Sequence, residues 1–339
     1  MDKKAAYRPT PPRVHELNAV NEEELEEGPR NIILSMIAQL GTNLDLSRVT
    51  LPTFVLEPRS FTERITDFMT YPDILLRAID EKDPIERFML VCKYYMAGWR
   101  THPKVSHHPP ISAFTTVCPK KGLYISGELR PKGRFQMNTV VVTLGGNSTI
   151  NFLKHNEKYE VTYPSMYARG ILVGKMVIEL GGKATIKCEK NDLIFKVDFK
   201  TRGFFGGEYN QISAKVCKMS TDATLYEIYG DWQHVLYYKK KSASSEAEHV
   251  FFDSNTEQLR QLVAEPIENQ NEFESRRLWN PVTLALKVKN LDKATEEKTK
   301  IENLQREMAK EREAKKIEWV PKYFTYNKAS DSYSLKLLK

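Results

Sequence analysis

The feature that most constrains the fold of this sequence is a series of short strand-like segments at regular spacing. Each segment is apolar or alternates apolar with polar residues, and glycine pairs such as Gly181-Gly182 and Gly206-Gly207 stand between several of them. The seven segments are 123–129, 139–144, 148–153, 171–180, 193–199, 209–216 and 225–232. Strands spaced in this way predict an antiparallel β-sandwich or β-barrel.

Helical patterns flank the strand region. Apolar residues recur at helical spacing within residues 60–99, where Pro84 stands early in the last of three predicted helices. These helices are expected to form a small layer. A further helix, rich in Glu, Lys and Arg, is predicted from 294 to 318. The chain is therefore predicted to be an α+β, β-rich protein.

The N-terminal part divides into an arm and a short helix. Residues 1–30 combine several prolines with an acidic run at 22–27, so little of the arm can be buried and no fold is assigned to it. The apolar pattern at 32–40 predicts a helix that Gly41 can end. From these residues alone, an ordinary core helix is the simplest interpretation.

Composition sets limits on function. Of the 339 residues, 41% are hydrophobic, which is ample for a buried core and excludes a disordered chain. The net charge of +7 is dispersed, so it suits contact with an anionic membrane as well as nucleic acid. The four scattered cysteines suggest neither a disulfide framework nor a zinc site. No run approaches the roughly 18 apolar residues that cross a bilayer, so we expect membrane contact to be peripheral.

Two adjacent histidines are the most distinctive candidates for binding. His107 and His108 precede Pro109 and Pro110, and two prolines in succession favour a rigid turn over regular structure. Both imidazoles on such a turn can reach a single anionic group. The alternative is an ordinary pair of surface histidines.

Three stretches in order along the chain resemble one known family. They are V-S-H-H-P-P-I-S-A-F at 105–114, L-P-T-F-V-L-E-P-R-S-F at 51–61, and F-E-S-R-R-L-W at 273–279. The first resembles the signature of the oxysterol-binding-protein-related family, and the second resembles its branch of phosphatidylserine carriers. The resemblance extends over nearly the whole chain.

The resemblance implies a fold and a division of the chain. The family fold is a large, nearly closed antiparallel β-barrel, whose bore can take the tails of a lipid. After the arm at 1–30, a single lipid-transfer domain would cover 31–325, with a tail at 326–339. Within the domain the resemblance implies a lid at 31–42, the helical layer at 60–99, barrel strands at 105–238 and C-terminal helices at 273–320. The apolar helix would then be the lid that closes the lipid tunnel.

The resemblance also assigns roles to residues. A phosphoinositide headgroup would be held by His107 and His108 together with Lys298, Glu302 and Arg306. The last three stand at i, i+4 and i+8 on one helix face, and from spacing alone they could equally be a ladder of surface salt bridges. The residues expected to contact phosphatidylserine or the lid are Leu51, Thr53, Phe54, Leu56, Asn138 and Thr139, and those expected to form the lid are Ile33, Met36, Ile37 and Leu40.

Two departures from the family pattern bear on the expected lipid site. Met137 replaces a glycine within K-G-R-F-Q-M-N-T, at a position where the backbone could need a positive φ or a close approach. More seriously, Arg100 is joined to Val105 by only four residues, where relatives carry K-K-P-Y-N-P-x-x-G-E and two strands. The missing segment would supply a lysine, an asparagine and a glutamate to the lipid site, and its strands would close part of the barrel wall. Without it, neighbouring strands are expected to expose unpaired backbone groups and phosphoinositide binding to be impaired.

The predicted function is lipid transfer between membranes without vesicles. The protein would extract phosphatidylserine or a related lipid and exchange it for phosphatidylinositol 4-phosphate. Alternatives are a sterol carrier or a lipid sensor of the same family. We expect a cytoplasmic monomer that touches anionic membranes peripherally at contacts between endoplasmic reticulum and plasma membrane.

Two other classes of function are less well supported by the sequence. A metal-dependent hydrolase would need partners for His107 and His108, and no H-x-x-x-H or H-x-H spacing provides them. A nucleic-acid-binding module would need clustered basic and aromatic residues, whereas the basic residues here are dispersed. The prediction is a non-enzymatic protein without metal or cofactor and without a nucleic-acid partner.

Overall fold

Three helices form a layer in the first part of the chain that the structure describes. In this computed structural model the described residues are 58–100, 111–203, 206–241, 247–329 and 331–336. The helices are α1 (Phe61–Ile65), α2 (Pro72–Asp80) and α3 (Pro84–Gly98), with a 3-10 turn at Thr66–Met69 between the first two. The predicted lid at 31–42 lies outside the described residues.

Local sequence explains where these helices begin. Ser60 caps α1, because its hydroxyl accepts from the Glu63 amide at 3.3 Å while the Glu63 carboxylate accepts from the Ser60 amide at 2.9 Å. Asp83 caps α3 by accepting from two backbone amides in its first turn, and Pro84 occupies the first helical position. Helix α3 carries buried residues on every side, which identifies it as the central helix of the layer.

Twelve strands form one antiparallel sheet that follows the chain order. The strands are β1 (Ser112–Cys118), β2 (Leu123–Gln136), β3 (Thr139–Gly145), β4 (Ser148–Phe152), β5 (Glu157–Val161), β6 (Ser165–Arg169), β7 (Val177–Cys188), β8 (Leu193–Lys200), β9 (Gln211–Lys218), β10 (Thr224–Asp231), β11 (Val235–Lys240) and β12 (Glu248–Asp253). Strands β3 and β4 both pair with β2, and β5 and β6 both pair with β7. The two strands β3 and β4 therefore occupy one position in the sheet, and β5 and β6 occupy the next. Counted in this way, the sheet is a meander of ten neighbouring positions.

The break between β3 and β4 requires glycine. Gly146 has a φ of +90°, and a Cβ atom at that position would lie 2.3 Å from the Glu128 carbonyl oxygen. A residue with a side chain could not adopt this conformation at this distance without moving the backbone. The glycine thus permits β2 to pair with two consecutive strands.

The sheet curls around the helical layer as a nearly closed antiparallel barrel. Core residues from α2 and α3 share one buried cluster with residues from β2 at one end of the meander and β12 at the other. Within the described ranges β1 pairs only with β2 and β12 only with β11, so these are the two edges of the sheet. The predicted α+β, β-rich barrel fold is confirmed.

An ion pair inside the molecule joins the helical layer to the sheet. The Arg87 guanidinium on α3 donates to both carboxylate oxygens of Glu157 on β5, at 2.8 and 2.5 Å. Glu157 also accepts from Tyr159 and from Asn191. Burial alone would raise the pKa of Glu157, but these hydrogen bonds outweigh it and hold the pKa at about 2.

Several strand predictions need correction. The apolar run at 171–173 was expected to begin a strand, but Gly170 and Gly174 have positive φ and the strand begins only at Val177. Five further strands, β1, β5, β6, β11 and β12, match none of the segments predicted from the sequence. Lys239 and Lys240 are the last two residues of strand β11.

The C-terminal region contains three helices and a hairpin. The elements are α4 (Ser275–Leu278), α5 (Asn280–Lys287), α6 (Leu291–Ala314), β13 (Phe324–Asn327) and β14 (Ser332–Leu335). Helix α6 begins three residues before the predicted start at 294 and ends four before 318. The hairpin docks on β2, where Arg130 pairs with Asp331 at 2.7 Å and the Tyr333 amide donates to Glu128 at 3.1 Å.

Candidate functional site

An apolar cavity lies between the helical layer and the sheet. Its volume is about 80 Å³ and its walls are almost wholly apolar. The wall residues come from α1 and its 3-10 turn, from α3 and from β1 to β6; they include Phe61, Ile65, Phe68, Tyr95, Trp99, Phe114, Ile125, Leu129, Leu144, Ile150, Val161, Tyr163 and Met166. Walls of this kind can hold hydrocarbon and exclude water.

Two buried polar atoms belong to residues of the cavity wall. Trp99 Nε1 and Tyr163 Oη are both buried, and within the described part of the chain neither makes a hydrogen bond of good geometry, although Tyr163 lies near the Ser148 hydroxyl and Trp99 near Tyr95. Burial raises the pKa of Tyr163, with the nearby Ser148 hydroxyl lowering it by less, so the phenol keeps its proton at neutral pH. These atoms could serve one oxygen of an otherwise apolar ligand.

A charged cluster at α1 also reaches the cavity wall. Asp67 is only 5% exposed and accepts two hydrogen bonds from Arg59, at 2.7 and 3.0 Å, and one from Arg64 at 3.0 Å. Because Asp67 and Arg64 both line the cavity, its wall has one end formed by an ion pair as well as an apolar body.

Helix α6 holds three of the sequence-predicted residues, and the structure brings them together. Lys298 Nζ donates to Glu302 at 2.6 Å, and Arg306 Nη2 lies 3.4 Å from the other Glu302 oxygen. Lys298 is 3% exposed and Glu302 is 8% exposed. A surface salt-bridge ladder therefore does not describe these two residues, although the Arg306 side chain is more than half exposed.

The packing of α6 explains why a lysine is buried here. Ala294 and Ile301 of α6 pack against Val282 and Ala285 of α5 in a small apolar cluster. Lys298 lies on the same stripe of the helix as these two residues, one turn from each. Its ammonium group is removed from water, and the Glu302 carboxylate offsets part of that cost. Among the described residues, Glu302 is the single hydrogen-bond partner of Lys298 Nζ.

Helices α4 to α6 are attached to helix α1 and to the residues just before it, and α1 also lines the cavity. Thr283 donates to the Pro58 carbonyl at 2.7 Å, Ser275 donates to the Ser60 hydroxyl at 2.6 Å, and Arg276 lies 3.3 Å from Glu63. Two residues of helix α1, Phe61 and Ile65, line the cavity. The charged helix unit and the apolar cavity therefore share α1 as a common support.

Asn138 and Thr139, the predicted phosphatidylserine contacts at the turn between β2 and β3, are not among the residues that line the apolar cavity. Asn138 is in the turn between these strands, where its amide donates to the Val173 carbonyl and accepts from the Leu172 and Val173 amides. Thr139 opens β3. The neighbouring Met137 has a φ of +50° and is 89% exposed, so this position does require the left-handed conformation that a glycine adopts without strain.

The remaining predicted residues fall outside the described ranges. They are His107, His108, Leu51, Thr53, Phe54, Leu56, Ile33, Met36, Ile37 and Leu40. The roles assigned to them stay predictions. Sequence reasoning in turn missed the cavity residues Trp99 and Tyr163 and the cluster around Asp67. The aromatic content of the helical layer was a signal for Trp99 alone.

Buried polar atoms surround the place where the missing segment would begin and end. Within the described ranges the Trp99 indole nitrogen, Arg100 Nε and Nη2, and the Ser112 hydroxyl are buried without a hydrogen-bond partner. Arg100 Nη1 does donate to Tyr71 and to the Ser254 carbonyl. Such atoms normally have partners, so these residues mark a local deficit at the junction between α3 and β1.

Within the described residues, no three His, Cys, Asp or Glu side chains are placed to share a metal ion. Of the helices in those same ranges, none combines the length and apolar content needed to cross a membrane.

A curved antiparallel sheet around helices, with an apolar cavity between them, defines a β-rich protein that can hold an apolar ligand inside a barrel. The family model described as oxysterol-binding protein matches residues 33–104 and 101–337. The two matched ranges overlap at 101–104, where the sequence is predicted to lack a family segment. The chain belongs to the oxysterol-binding protein family, whose members are lipid-binding and lipid-transfer proteins.

Relatives of known sequence support this assignment. An oxysterol-binding protein homolog of Schizosaccharomyces pombe is 37% identical over an alignment 353 residues long. The alignment covers 91% of this chain and 73% of the relative. Oxysterol-binding protein homolog 6 of Saccharomyces cerevisiae is 37% identical over 347 residues, covering 91% and 77%. Human oxysterol-binding protein-related protein 5 is 36% identical over 340 residues, covering 89% of this chain and 38% of the relative. The first two alignments are longer than this chain of 339 residues, so both relatives carry residues that it lacks.

Solved structures share the fold. The Osh1 ORD domain in complex with cholesterol has a TM-score of 0.67 at 18% identity, covering 94% of this chain and 90% of that one. The Osh3 ORD of Saccharomyces cerevisiae in complex with PI(4)P has a TM-score of 0.67 at 18% identity, covering 98% and 94%.

Proposed function

We propose that this chain is a lipid transfer protein that extracts phosphatidylserine, or a related lipid, and exchanges it for phosphatidylinositol 4-phosphate. The observation that carries the proposal is the apolar cavity between the helical layer and the sheet. Moving a lipid tail through water costs about 0.8 kcal/mol per CH₂ group, and an apolar wall removes that cost. Exchange leaves both lipids chemically unchanged, so the function is not enzymatic.

The walls of the cavity must separate for a lipid to enter. A volume of about 80 Å³ is well below the roughly 300–1,000 Å³ of ligand pockets that enclose most of a ligand. The α1 side of the cavity is formed by one short helix and a 3-10 turn that carry Phe61 and Phe68. We propose that this side moves outward when the predicted lid at 31–42 opens at a membrane, and returns when the tails are enclosed.

The phosphorylated headgroup is assigned to α6 and the histidine pair. Lys298 provides a point charge and Arg306 a planar group that can hold phosphate through two hydrogen bonds. Glu302 fixes Lys298 and can accept from an inositol hydroxyl. His107 and His108 are proposed to complete this site. The Osh3 ORD complex with PI(4)P supports the choice of headgroup for a protein of this fold.

A sterol is the second candidate ligand. The Osh1 ORD domain holds cholesterol, and a sterol has an apolar body with a single hydroxyl. The buried Trp99 Nε1 and Tyr163 Oη of the cavity wall favour such a ligand, because the indole can donate to a hydroxyl oxygen and the phenol can donate to it or accept from it. A member that binds lipid without moving it, a lipid sensor, would show occupancy of the cavity but no transfer between vesicles.

The place of action follows from the proposed exchange. Drawing phosphatidylserine uphill requires a gradient of phosphatidylinositol 4-phosphate between two membranes. We propose that the protein works as a monomer in the cytoplasm, touching anionic membranes peripherally at contacts between endoplasmic reticulum and plasma membrane. Transfer of labelled phosphatidylserine between two vesicle populations, with phosphatidylinositol 4-phosphate in the acceptor only, tests this directly.

Replacing Lys298 by alanine is expected to weaken binding of phosphatidylinositol 4-phosphate by at least about tenfold. A hydrogen bond to a charged group contributes about 1.5–3 kcal/mol, and each 1.4 kcal/mol is a factor of ten in affinity. The measurement is binding to vesicles with and without the phosphoinositide. Lys300→Ala is the matched control, because Lys300 is an exposed lysine on the same helix that pairs with Glu296 and Glu297. Equal affinities for the two variants would contradict the assignment.

A further inference from the structure

Exposed apolar side chains are concentrated in one short segment between α6 and β13. Ile317, Trp319, Val320 and Tyr323 have exposed fractions of 56, 62, 69 and 47%. All residues from 313 to 320 are exposed, so this part of the chain projects from the body of the protein. Grouped exposed apolar residues typically mark a surface that contacts something else.

Basic residues accompany these apolar side chains. Lys315, Lys316 and Lys322 are exposed, and Glu318 is the single acidic residue between 315 and 323. Among the described residues, the ion pair of Lys315 is a long contact with Glu311, at 3.6 Å, and both side chains are largely exposed. The ammonium group of Lys322 lies 5.0 Å from the centre of the Tyr323 ring. The segment therefore combines aromatic rings with a net positive charge.

The backbone of this segment is held at both ends. The Ile317 amide donates to the Arg312 carbonyl at 2.8 Å and so closes the end of α6. Lys336 donates from its amide to the Tyr323 carbonyl at 2.8 Å and from its ammonium group to the Pro321 carbonyl at 2.6 Å. Because the backbone is already ordered, docking this segment on a surface would cost little conformational entropy.

We propose that residues 315–323, the connector segment, dock into the headgroup region of an anionic bilayer. Trp and Tyr favour the boundary between water and hydrocarbon, since their rings are apolar and their N–H or O–H groups are polar. The lysines complement anionic lipid headgroups. A protein partner is less well matched, because a stable interface buries on the order of 1,000 Å² and a projecting run of nine residues offers less.

This inference uses the proposed function only to explain why the protein meets a membrane. Docking brings the chain to the bilayer from which a lipid is taken, whereas the cavity and α6 bind the lipid itself. The two events can be measured separately. Docking requires no lipid in the cavity.

Tryptophan fluorescence tests the docking directly. Of the four tryptophans, Trp99 and Trp232 are 2% exposed and Trp279 is partly buried, so Trp319 is the one that a membrane can reach most readily. We expect its emission to shift to the blue with vesicles that contain phosphatidylserine, and to be quenched by brominated acyl chains. Vesicles of phosphatidylcholine alone, or high salt, should reduce both effects.

Variants make the test specific. Trp319→Ser is expected to weaken sedimentation with anionic vesicles about tenfold, and replacing all three lysines by glutamine should remove the salt dependence. Val263→Ser is the matched control, because Val263 is 74% exposed and lies outside the connector segment. Circular dichroism confirms that each variant is folded. Unchanged emission of Trp319, or equal sedimentation of Trp319→Ser and wild type, would overturn the proposal.

The same experiments separate this inference from the proposed function. Lys298→Ala should still sediment with phosphatidylserine vesicles, because Lys298 is not in the connector segment. If lipid transfer occurs but Trp319 never contacts the membrane, the docking surface is wrong and the transfer function stands. If Trp319 contacts the membrane but no lipid is extracted, the docking surface stands and the transfer function is wrong.

Discussion

Restoring the missing segment before Val105 is expected to increase affinity for phosphatidylinositol 4-phosphate about 100-fold. The family segment would contribute a lysine, an asparagine and a glutamate to the headgroup site. One charged and one neutral hydrogen bond together contribute about 3 kcal/mol, which corresponds to that factor. The unaltered chain would then depend on α6 and the histidine pair for this ligand.

The structure gives a second reason to expect this result. Strand β1 is an edge of the sheet in the described residues, and buried polar atoms of Trp99, Arg100 and Ser112 lack partners at the same junction. A buried polar group without a partner costs about 1–3 kcal/mol. Restoring the segment should therefore also raise the free energy of unfolding.

The comparison needs a control of equal length. A glycine- and serine-rich insert at the same place lengthens the connection without providing the headgroup contacts or the strands. Binding to vesicles that contain the phosphoinositide, followed by titration calorimetry, measures the affinity of the three proteins. If the unaltered chain binds as tightly as the restored one, the segment has no role in this ligand site.

Replacing Arg87 by alanine is expected to lower the free energy of unfolding by about 3–5 kcal/mol, because it leaves the buried Glu157 carboxylate without its cation. Both side chains are at most 5% exposed, and Arg87 also donates to the carbonyls of Glu81 and Lys82. Loss of this arginine therefore weakens the attachment of α3 to the sheet. Urea unfolding monitored by circular dichroism provides the measurement.

The stabilisation by Glu157 has a definite pH dependence. Its pKa is about 2 in the folded protein and 4.5 in its ordinary state, a difference that corresponds to about 3 kcal/mol. Since the folded pKa is the lower one, this contribution is complete above pH 4.5 and is lost as the pH falls towards 2. The wild type should lose stability in that range, and Glu157→Gln should lose less.

Two further variants distinguish a buried ion pair from a general effect of removing an arginine. Arg260→Ala removes an exposed partner of Asp73 and should cost less than about 1 kcal/mol. The double change Arg87→Met with Glu157→Leu removes both charges and should be less destabilising than Arg87→Ala alone. An Arg87→Ala protein within about 1 kcal/mol of wild type would contradict this account of the pair.

The fold could be predicted where the local sequence pattern favours the same secondary structure that the folded chain adopts. Alternation and glycine pairs identified the middle of the sheet, and apolar residues at helical spacing, with Pro84 early in the last helix, identified α2 and α3. Strands such as β5 and β12 were missed because pairing with neighbours that are distant or irregular in sequence stabilises them. The apolar run at 171–173 was misread because only the geometry of Gly170 and Gly174 reveals a turn there.

The candidate site was predictable in part for similar reasons. Lys298, Glu302 and Arg306 are separated by one helical turn each, so their proximity followed from spacing, but their burial depended on α5. Trp99 and Tyr163 are far apart in sequence, and only the folded chain brings both to the cavity wall. The Arg87–Glu157 pair likewise joins residues 70 positions apart, and no local pattern indicates it.

We propose that the barrel encloses a lipid in the apolar cavity lined by α1, α3 and the sheet. Native mass spectrometry of the protein, after incubation with mixed-lipid vesicles and removal of the vesicles, measures whether a lipid stays bound. We expect one lipid molecule per chain, identified by fragmentation as phosphatidylserine, phosphatidylinositol 4-phosphate or a sterol. A chain that emerges with its bare mass from every vesicle composition would contradict the claim.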